Sequence, residues 1–273
     1  TLFRSGTAWS CFAMTEPEVA GSDPTLIRTN AYQDGEEWVI NGHKWFISNA
    51  HRANFAILIA RTEDDPDLPQ AANTAFLVDI PSPGWNEVRQ IETMHGSTGH
   101  SEIVIEDLRV HESQMLGGRG QGHLLGQYRL GPARLAHCMR WIGAATRAHS
   151  IAIDHARTRT AFGKPLGEHQ GVGFMLADNE IALQQCRLAI WWACWALDTG
   201  AKGRHESSMV KAYVSEELFK VADRCVQILG GMGISDETPV GMIFSDMRAF
   251  RLYDGPTEVH KYAIARQVLR SPR

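Results

Sequence analysis

RLYDGPTEVH, residues 251–260, joins two helix-compatible runs near the end of the chain and decides how the whole sequence is interpreted. Gly255 tolerates positive φ and Pro256 has no N–H donor, so these two residues predict a sharp turn. Pro256 also suits the first turn of a following helix. Asp254 is then either a cap of that helix or a carboxylate held rigidly towards a cavity, where it can act as a catalytic base. The decapeptide alone favours the cap, and the rest of the chain favours the base.

The composition is typical of a water-soluble globular protein, since 44% of the 273 residues are hydrophobic and 21% are charged. The net charge of −4 argues against a nucleic-acid-binding protein. The five cysteines are scattered, as expected in a reducing compartment. No signal sequence opens the chain, and the most apolar run, residues 188–197, is too short to span a bilayer. Because the first residue is Thr1, we expect a fragment in which residues 1–5 lie outside the fold.

Two patterns divide the chain near residue 122. The first part has short alternating runs and turn signals at Asp34-Gly35 and Asn41-Gly42, which predict antiparallel strands. The second part has apolar residues at helical spacing, which predicts helices over residues 123–155, 168–198, 207–229, 239–249 and 256–269. We therefore predict an α+β fold, with an antiparallel β-barrel or sandwich over residues 1–121 and an antiparallel four-helix bundle over residues 122–273.

The sequence lacks the spacing of known metal and nucleotide motifs. The 12 histidines include no His-x-x-x-His pair and no Cys/His cluster at zinc spacing, so no metal is predicted. The glycine clusters at residues 117–122 and 230–233 match neither the dinucleotide fingerprint nor the P-loop, and are interpreted as linkers or helix caps. His95 and His100 are expected to be surface polar residues.

Three segments are candidates for binding a polar ligand, each with a plainer explanation. The loop of residues 15–24 offers backbone donors and the hydroxyls of Thr15 and Ser22, although an ordinary polar turn fits equally well. Alternation places Phe46 and Ser48 on one face of a strand, where a core aromatic beside an uninvolved serine is the alternative. Arg159 lies on a helix–helix connection and could neutralise a phosphate, but a lone arginine is more often a solvated charge.

Five motifs in this order resemble the acyl-CoA dehydrogenase superfamily over nearly the whole chain. They are MTEP with GSD (residues 14–17 and 21–23), WFISN (45–49), RTAFGKPL with EHQ (159–166 and 168–170), QILGGMG (227–233) and YDG (253–255). The sequence is most similar to the subgroup of family members ten and eleven. The grounds are an extra residue in the turn at residues 18–20, RLGPAR (129–134), and DGP followed by EVH (254–256 and 258–260).

The resemblance implies a middle β domain and a C-terminal four-helix bundle, with FAD as the cofactor. An N-terminal helical domain would be absent here, which puts part of the acyl-CoA pocket in doubt and could make the fragment inactive. The implied FAD contacts within one subunit are Phe12, Met14, Thr15, Ser22, Phe46, Ser48, Pro256, Thr257 and Glu258. Contacts to the FAD of a neighbouring subunit, and hence a homodimer or tetramer, are implied for Arg159, Phe162, Gln170, Gln227 and Gly231. The implied substrate contacts are Ser22, Arg134 and Gly255.

In the implied reaction, Asp254 removes the α-proton of an acyl-CoA thioester while the β-hydride passes to N5 of FAD, as in fatty-acid β-oxidation. Most members of the family have Glu at this position, so an acyl group must lie closer to Asp254 or be shaped differently. The backbone N–H of Glu258 and a flavin ribose hydroxyl would stabilise the charge on the thioester carbonyl. A free Asp titrates near ~3.9, and we expect burial beside the flavin to raise the pKa of Asp254 towards the working pH. Arg134 is expected to orient the base or the substrate.

Two other functions are compatible with these residues. One is a nitroalkane-oxidase-like or acyl-CoA oxidase-like flavoenzyme, and the other is a non-catalytic interaction module on the same scaffold. An acyl-CoA dehydrogenase would pass its electrons to an electron-transfer flavoprotein or a similar acceptor. We expect a cytoplasmic location in a bacterium, or a mitochondrial or peroxisomal one in a eukaryote, without a nucleic-acid or membrane partner. The three tryptophans at positions 191, 192 and 195 predict assembly through an apolar helix surface.

Overall fold

The structure is a computed structural model that describes residues 5–63, 67, 69–94 and 96–270, with the backbone alone for residues 70, 97 and 98. Most of residues 1–5, expected to lie outside the fold, and His95 are therefore outside the described residues. The chain divides into two compact units, Thr1–Tyr128 and Arg129–Arg273, each with its own core. The division falls inside the first long helix, and the predicted domain bounds stay predictions.

The first unit contains a mixed sheet of eight strands. They are β1 (Ser10–Ala13), β2 (Asn30–Asp34), β3 (Glu37–Ser48), β4 (Phe55–Arg61), β5 (Asn73–Asp79), β6 (Trp85–Thr93), β7 (Gly96–His111) and β8 (Met115–Leu116). Their order is β6-β7-β3-β2-β4-β5-β8, and β1 pairs with β4 beside this path. The turn predicted at Asp34-Gly35 is confirmed, since it joins β2 to β3 with Gly35 at a φ of 64°.

The prediction of an antiparallel barrel or sandwich is right only in part. β1 runs parallel to β4, and β2 also meets β4 in parallel register. Within the described residues, the two end strands of the path, β6 and β8, do not pair with each other, so the sheet is not closed. Alternating apolar residues show that a strand has one buried face, but they do not show the direction of its neighbour.

The turn predicted at Asn41-Gly42 is wrong, because β3 continues through both residues. Gly42 serves another purpose there. A Cβ added at Gly42 would lie 2.2 Å from Oγ1 of Thr29, so the glycine gives this side chain the space it occupies.

The second unit is helical, and all five predicted helices are present with shifted ends. They are α1 (Gly122–Thr158), α2 (Gln170–Asp198), α3 (Arg204–Leu229), α4 (Val240–Phe250) and α5 (Thr257–Arg270), with a small hairpin of β9 (Thr160–Ala161) and β10 (Lys164–Pro165) after α1. α3 packs against α2, α4 and α5. The finer prediction of a four-helix bundle is not confirmed, because the short α4 also contributes buried side chains to the core. No helix in the described part of the chain combines the length and apolar character that crossing a membrane requires.

Candidate active site

The turn between α4 and α5 carries Asp254 and has an unusual backbone, which confirms the predicted sharp turn. Asp254 has a φ of 54° and Gly255 a φ of 96°. Glycine adopts positive φ freely, whereas an aspartate adopts it at a cost in free energy that the surroundings must offset. The carboxyl group is therefore presented by a backbone that the neighbouring helices hold in place.

Two buried cations from different helices hold this turn by its carbonyl groups. Arg134 of α1 is 8% exposed and donates from Nε to the carbonyl of Asp254 over 2.9 Å. Lys211 of α3 is fully buried and donates from Nζ to the carbonyl of Gly255 over 2.7 Å. Hydrogen bonds from charged donors are among the stronger ones in proteins, so they fix the backbone on both sides of the peptide bond. The contact of Arg134 supports its predicted orienting role, and its substrate contact stays a prediction.

The Asp254 carboxyl group is largely buried and keeps one oxygen free of aligned donors. Nε2 of His137, on α1, lies 3.1 Å from Oδ2 of Asp254. The imidazole is not oriented to donate a hydrogen bond to this oxygen. Oδ2 is buried and has no hydrogen-bond partner. This oxygen therefore does not cap α5. A buried carboxylate oxygen without a donor is uncommon in folded proteins and suits a group that takes up a proton.

Two guanidinium groups and an imidazole around the turn control the ionisation of Asp254. Burial raises the pKa of Asp254, but His137, Arg129 and Arg134 together outweigh burial and leave that pKa below its ordinary value. In the chain alone the pKa of Asp254 is therefore lowered, because α1 brings two guanidinium groups and an imidazole close to the turn. Asp254 is consequently ionised at neutral pH. The rise expected beside the flavin stays a prediction.

Glu216 of α3 connects the two ends of the turn. Its Oε1 accepts hydrogen bonds from Nε of Arg251 over 2.8 Å and from Oγ1 of Thr257 over 2.7 Å. Thr257 is 2% exposed. Its hydroxyl donates to Glu216 and its backbone N–H to the carbonyl of Arg251, so the FAD contact of Thr257 stays a prediction.

His260 of α5 packs against the turn. A Cβ added at Gly255 would lie 2.9 Å from Nε2 of His260, so position 255 requires glycine for space as well as for its φ. This Nε2 is buried without a hydrogen bond. Burial, together with Arg134 and Lys211, lowers the pKa of His260 to about 4. The side chain is therefore neutral at physiological pH.

Aromatic side chains orient the groups that precede the base. The hydroxyl of Tyr253 accepts hydrogen bonds from Nε1 of Trp141 and from Nη2 of Arg140. The ring of His137 meets that of Tyr253 edge to face, with 5.0 Å between centroids. The residue that precedes Asp254 thus also fixes the imidazole beside it.

In the first unit, a buried ion pair fixes the start of the loop of residues 15–24. Nζ of Lys44 donates to Oε1 of Glu16 over 2.8 Å and to the carbonyl of Met14 over 3.0 Å. Glu16 also accepts hydrogen bonds from the hydroxyl and the N–H of Thr29. The side chains of Glu16 and Lys44 are 1% and 0% exposed. The start of this loop is therefore anchored to the sheet, and its end is held by a turn in which the N–H of Asp23 donates to the carbonyl of Ala20.

Phe46 and Ser48 of β3 are both exposed while Ile47 between them is buried, which agrees with the prediction that the two share a face and rules out a core position for Phe46. Phe46 has a φ of 54°, lies where the pairing of β3 with β7 shifts register, and is 44% exposed. Oγ of Ser48 lies 2.9 Å from Nδ1 of His100, which is half-buried rather than a simple surface residue. An exposed ring on a strained backbone is typical of a binding site.

The other predicted contacts are distributed over several elements. Those with exposed side chains or backbone are Ser22, Arg159, Phe162, Gln170, Gln227, Gly231 and Glu258, and those partly buried are Phe12, Met14, Thr15, Gly255 and Pro256. Phe162 is 97% exposed between β9 and β10 and has a φ of 52°. The structure thus leaves most of these groups accessible, and their roles stay predictions.

Sequence reasoning missed His137, Lys211, Glu216 and His260. Lys211 had a usable signal, because it interrupts the apolar stripe that Val214 and Leu218 continue on α3, and a charge on a buried stripe needs a partner. His137 gave no such signal, since its contact joins it to Asp254, far away in the sequence. His260 lies only five residues from Gly255, but the sequence did not show that its ring turns back onto the turn.

Known protein families match both units. Residues 11–108 match the family model described as acyl-CoA dehydrogenase, middle domain, and residues 120–269 match acyl-CoA dehydrogenase, C-terminal domain. The chain is 39% identical over 269 residues to the probable acyl-CoA dehydrogenase FadE2 of Mycobacterium tuberculosis, covering 97% of this chain and 66% of that protein.

Two further comparisons extend this match. Acyl-CoA dehydrogenase family member 11 of Gallus gallus is 38% identical over 271 residues, which are 96% of this chain and 35% of that protein. Butyryl-CoA dehydrogenase from Megasphaera elsdenii has a solved structure with a TM-score of 0.91 at 28% identity, and the match covers 98% of this chain and 70% of that one. The chain spans two thirds or less of the length of the two curated relatives. The match to family member 11 agrees with the subgroup that the sequence indicated. The chain belongs to the acyl-CoA dehydrogenase family.

Proposed function

We propose that the protein containing this chain is an FAD-dependent acyl-CoA dehydrogenase, which introduces an α,β double bond into a fatty acyl or related acyl-CoA thioester. The observation that carries the proposal is the state of Asp254. It is an ionised, largely buried carboxylate on a positive-φ turn, and its Oδ2 has no aligned donor. A relative of the same fold is named butyryl-CoA dehydrogenase, which supports the thioester class of substrate.

The first unit suits the cofactor that the family indicates, FAD. Phe46 presents an exposed ring at positive φ. Ser48 of β3 and His100 of β7 form a hydrogen-bonded pair that provides polar atoms near this ring. The Glu16–Lys44 pair holds the neighbouring loop, whose backbone groups can bind a planar polar ring system. When bound, FAD supplies the acceptor for the hydride that leaves the β-carbon.

Asp254 accepts the α-proton at Oδ2. Because its pKa is low, Asp254 needs no prior deprotonation at neutral pH, but it is also a weak base. The site must therefore stabilise negative charge on the thioester carbonyl as the proton leaves. Backbone N–H groups in the first turn of α5, including that of Glu258, are suitable donors because the first N–H groups of a helix lack intrahelical acceptors. Arg134 and Lys211 keep the carboxylate in position meanwhile.

The proposal extends to the partners of the whole protein. We propose an electron-transfer flavoprotein or a similar protein as the electron acceptor. We also propose a homodimer or tetramer in which Arg159, Phe162, Gln170, Gln227 and Gly231 approach the FAD of a neighbouring subunit. The exposure of these five residues supports such a contact.

Anaerobic titration of the full-length flavoprotein with butanoyl-, octanoyl- and hexadecanoyl-CoA tests the proposal. We expect flavin bleaching with at least one thioester. Asp254→Asn is expected to retain FAD and to bleach at least about a thousandfold more slowly. An Asp254→Asn variant that bleaches at the wild-type rate would overturn the assignment of the base. Peroxide formed at each turnover in air would instead favour an oxidase. A colourless protein that takes up no FAD on refolding would favour a non-catalytic module.

A further inference from the structure

His137 touches the carboxyl group of Asp254 itself, whereas Arg134 and Lys211 touch only the backbone of the turn. The 3.1 Å distance joins Nε2 of His137 to Oδ2, the oxygen without an aligned donor. The side chain of His137 is 27% exposed and that of Asp254 16% exposed, so the imidazole is the more accessible partner. We propose that His137 positions Asp254 and accepts the proton that Asp254 removes from the substrate. This inference rests on the function proposed above.

The surroundings fix the imidazole without fastening it to the carboxylate. The edge-to-face contact with Tyr253 sets the plane of the ring, and Tyr253 is itself held through its hydroxyl by Trp141 and Arg140. In this orientation the His137 ring does not donate to Oδ2. The lone pair of Oδ2 therefore stays available to a substrate C–H. Nε2 lies only 3.1 Å away, so a turn of the carboxyl group is enough to align the two atoms for a later proton transfer.

The other charged or titratable groups near Asp254 are unsuited to this role. Arg129 and Arg134, on α1, carry guanidinium groups that stay protonated in the neutral range. Lys211, on α3, directs its Nζ at the carbonyl of Gly255. On the turn and α5, the hydroxyl of Tyr253 is hydrogen-bonded to Trp141, and the ring of His260 packs against Gly255.

The proton transfer balances in two steps. When the α C–H bond breaks, its electron pair stays with the substrate and its proton forms an O–H bond on Oδ2, which neutralises Asp254. The protonated carboxyl group then turns to point its O–H at Nε2 of His137, and the proton passes to the neutral imidazole, which becomes cationic as Asp254 regains its negative charge. An imidazole ordinarily binds a proton more tightly than a carboxylate by roughly 2–3 pH units, so the second step is favourable. From the partly exposed His137 the proton returns to water.

A His137→Asn variant of the full-length flavoprotein tests the pair, with His155→Asn on the same helix as the matched control. The first readout is a ¹³C NMR titration of the Asp254 carboxyl group, identified by its loss in Asp254→Asn. We expect its pKa to rise in His137→Asn, because a neighbour that lowers it is removed. The second readout is the pH profile of flavin reduction by whichever of the three thioesters bleaches the wild type fastest. Its acid limb should move to higher pH, and the plateau should fall about tenfold to a hundredfold. Imidazole added to the buffer should restore part of the rate.

The outcomes separate this inference from the proposed function. An unchanged Asp254 titration and an unchanged pH profile in His137→Asn would overturn the pair. A lower rate with the wild-type pH profile and no rescue by imidazole would also overturn it, because a purely structural role predicts that result. If no thioester bleaches the wild type, the proposed function fails, and the NMR titration still decides whether His137 controls Asp254.

Discussion

Lys211 donates a 2.7 Å hydrogen bond from Nζ to the carbonyl oxygen of Gly255, although solvent does not reach its side chain. Burial lowers the pKa of Lys211 to about 8, which means that the folded chain holds this ammonium group at a cost in stability. A buried cation is often replaceable by an apolar residue without loss of stability. The position of Lys211 beside the turn of Asp254 therefore indicates that it serves the site rather than the fold.

Lys211→Met should separate stability from function. Methionine fills a similar volume, so removing the cost of the buried charge roughly offsets the lost hydrogen bond. We expect the free energy of unfolding at pH 7 to stay the same or to rise by on the order of 1 kcal/mol. Flavin reduction should fall at least about tenfold, because the carbonyl of Gly255 loses its donor. Guanidinium denaturation and stopped-flow reduction measure the two effects, with the exposed Lys220→Met as control. A loss of several kcal/mol would show that Lys211 stabilises the fold.

The same variant predicts a pH dependence of stability. The folded pKa of Lys211, about 8, lies below its ordinary value of 10.5, so the unfolded chain binds more protons between these two pH values. Stability contributed by this position therefore rises as the pH increases through that window. The free energy of unfolding of the wild type, relative to that of Lys211→Met, should rise by up to about 3 kcal/mol between pH 8 and pH 10.5. Lys44 is present in both proteins, so its own titration cancels. If the difference in unfolding free energy between the wild type and Lys211→Met does not change with pH, burial does not lower the pKa of Lys211.

The sequence predicted those elements that have one strongly apolar face. All five helices were found because their apolar residues recur at helical spacing. β6 carries no such signal, since only Ile91 of its nine residues is buried and no alternation is visible. The parallel pairing of β1 with β4 was missed because it depends on contacts between distant segments.

The turn of the candidate site was predicted, but its electrostatics were not. Asp254-Gly255-Pro256 determines a local conformation, which adjacent residues are sufficient to specify. The pKa of Asp254 depends on Arg129, Arg134 and His137, which only the packing of α1 against the turn brings close. Burial alone therefore does not decide the direction in which this pKa moves.

Gly42 and Gly143 should respond oppositely to alanine. A Cβ at Gly42 would lie 2.2 Å from Oγ1 of Thr29, a buried hydroxyl that donates to Glu16. We therefore expect Gly42→Ala to lower the free energy of unfolding by about 1–3 kcal/mol. A Cβ at Gly143, exposed within α1, would meet nothing within 4 Å. Gly143→Ala should raise the free energy of unfolding by about 0.5–1 kcal/mol, because alanine has the higher helix propensity. Chemical denaturation of both variants measures the contrast, and equal effects would refute the steric argument at Gly42.

The Glu16–Lys44 pair should show strong coupling. Lys44→Met leaves the buried Glu16 carboxylate without its cation, so we expect the free energy of unfolding to fall by about 3–5 kcal/mol. Adding Glu16→Gln removes the unpaired charge and should recover part of that loss. A double-mutant cycle from guanidinium denaturation gives the coupling energy. Additive effects of the two substitutions would mean that the pair is not a unit.

The exposed aromatic residues of α2 predict assembly of the intact protein. Trp191, Trp192 and Trp195 are 61%, 42% and 63% exposed in the single chain, and exposed apolar side chains also recur at Phe174, Ile181 and Leu188. A continuous apolar stripe on a helix surface is normally covered by another protein surface. We therefore expect the full-length protein to be at least a homodimer, and the isolated chain to aggregate. Trp191→Glu with Trp195→Glu should lower the mass measured by light scattering, whereas Val88→Glu on exposed β6 should not. A wild-type protein that is monomeric at micromolar concentration with FAD bound would rule out this assembly.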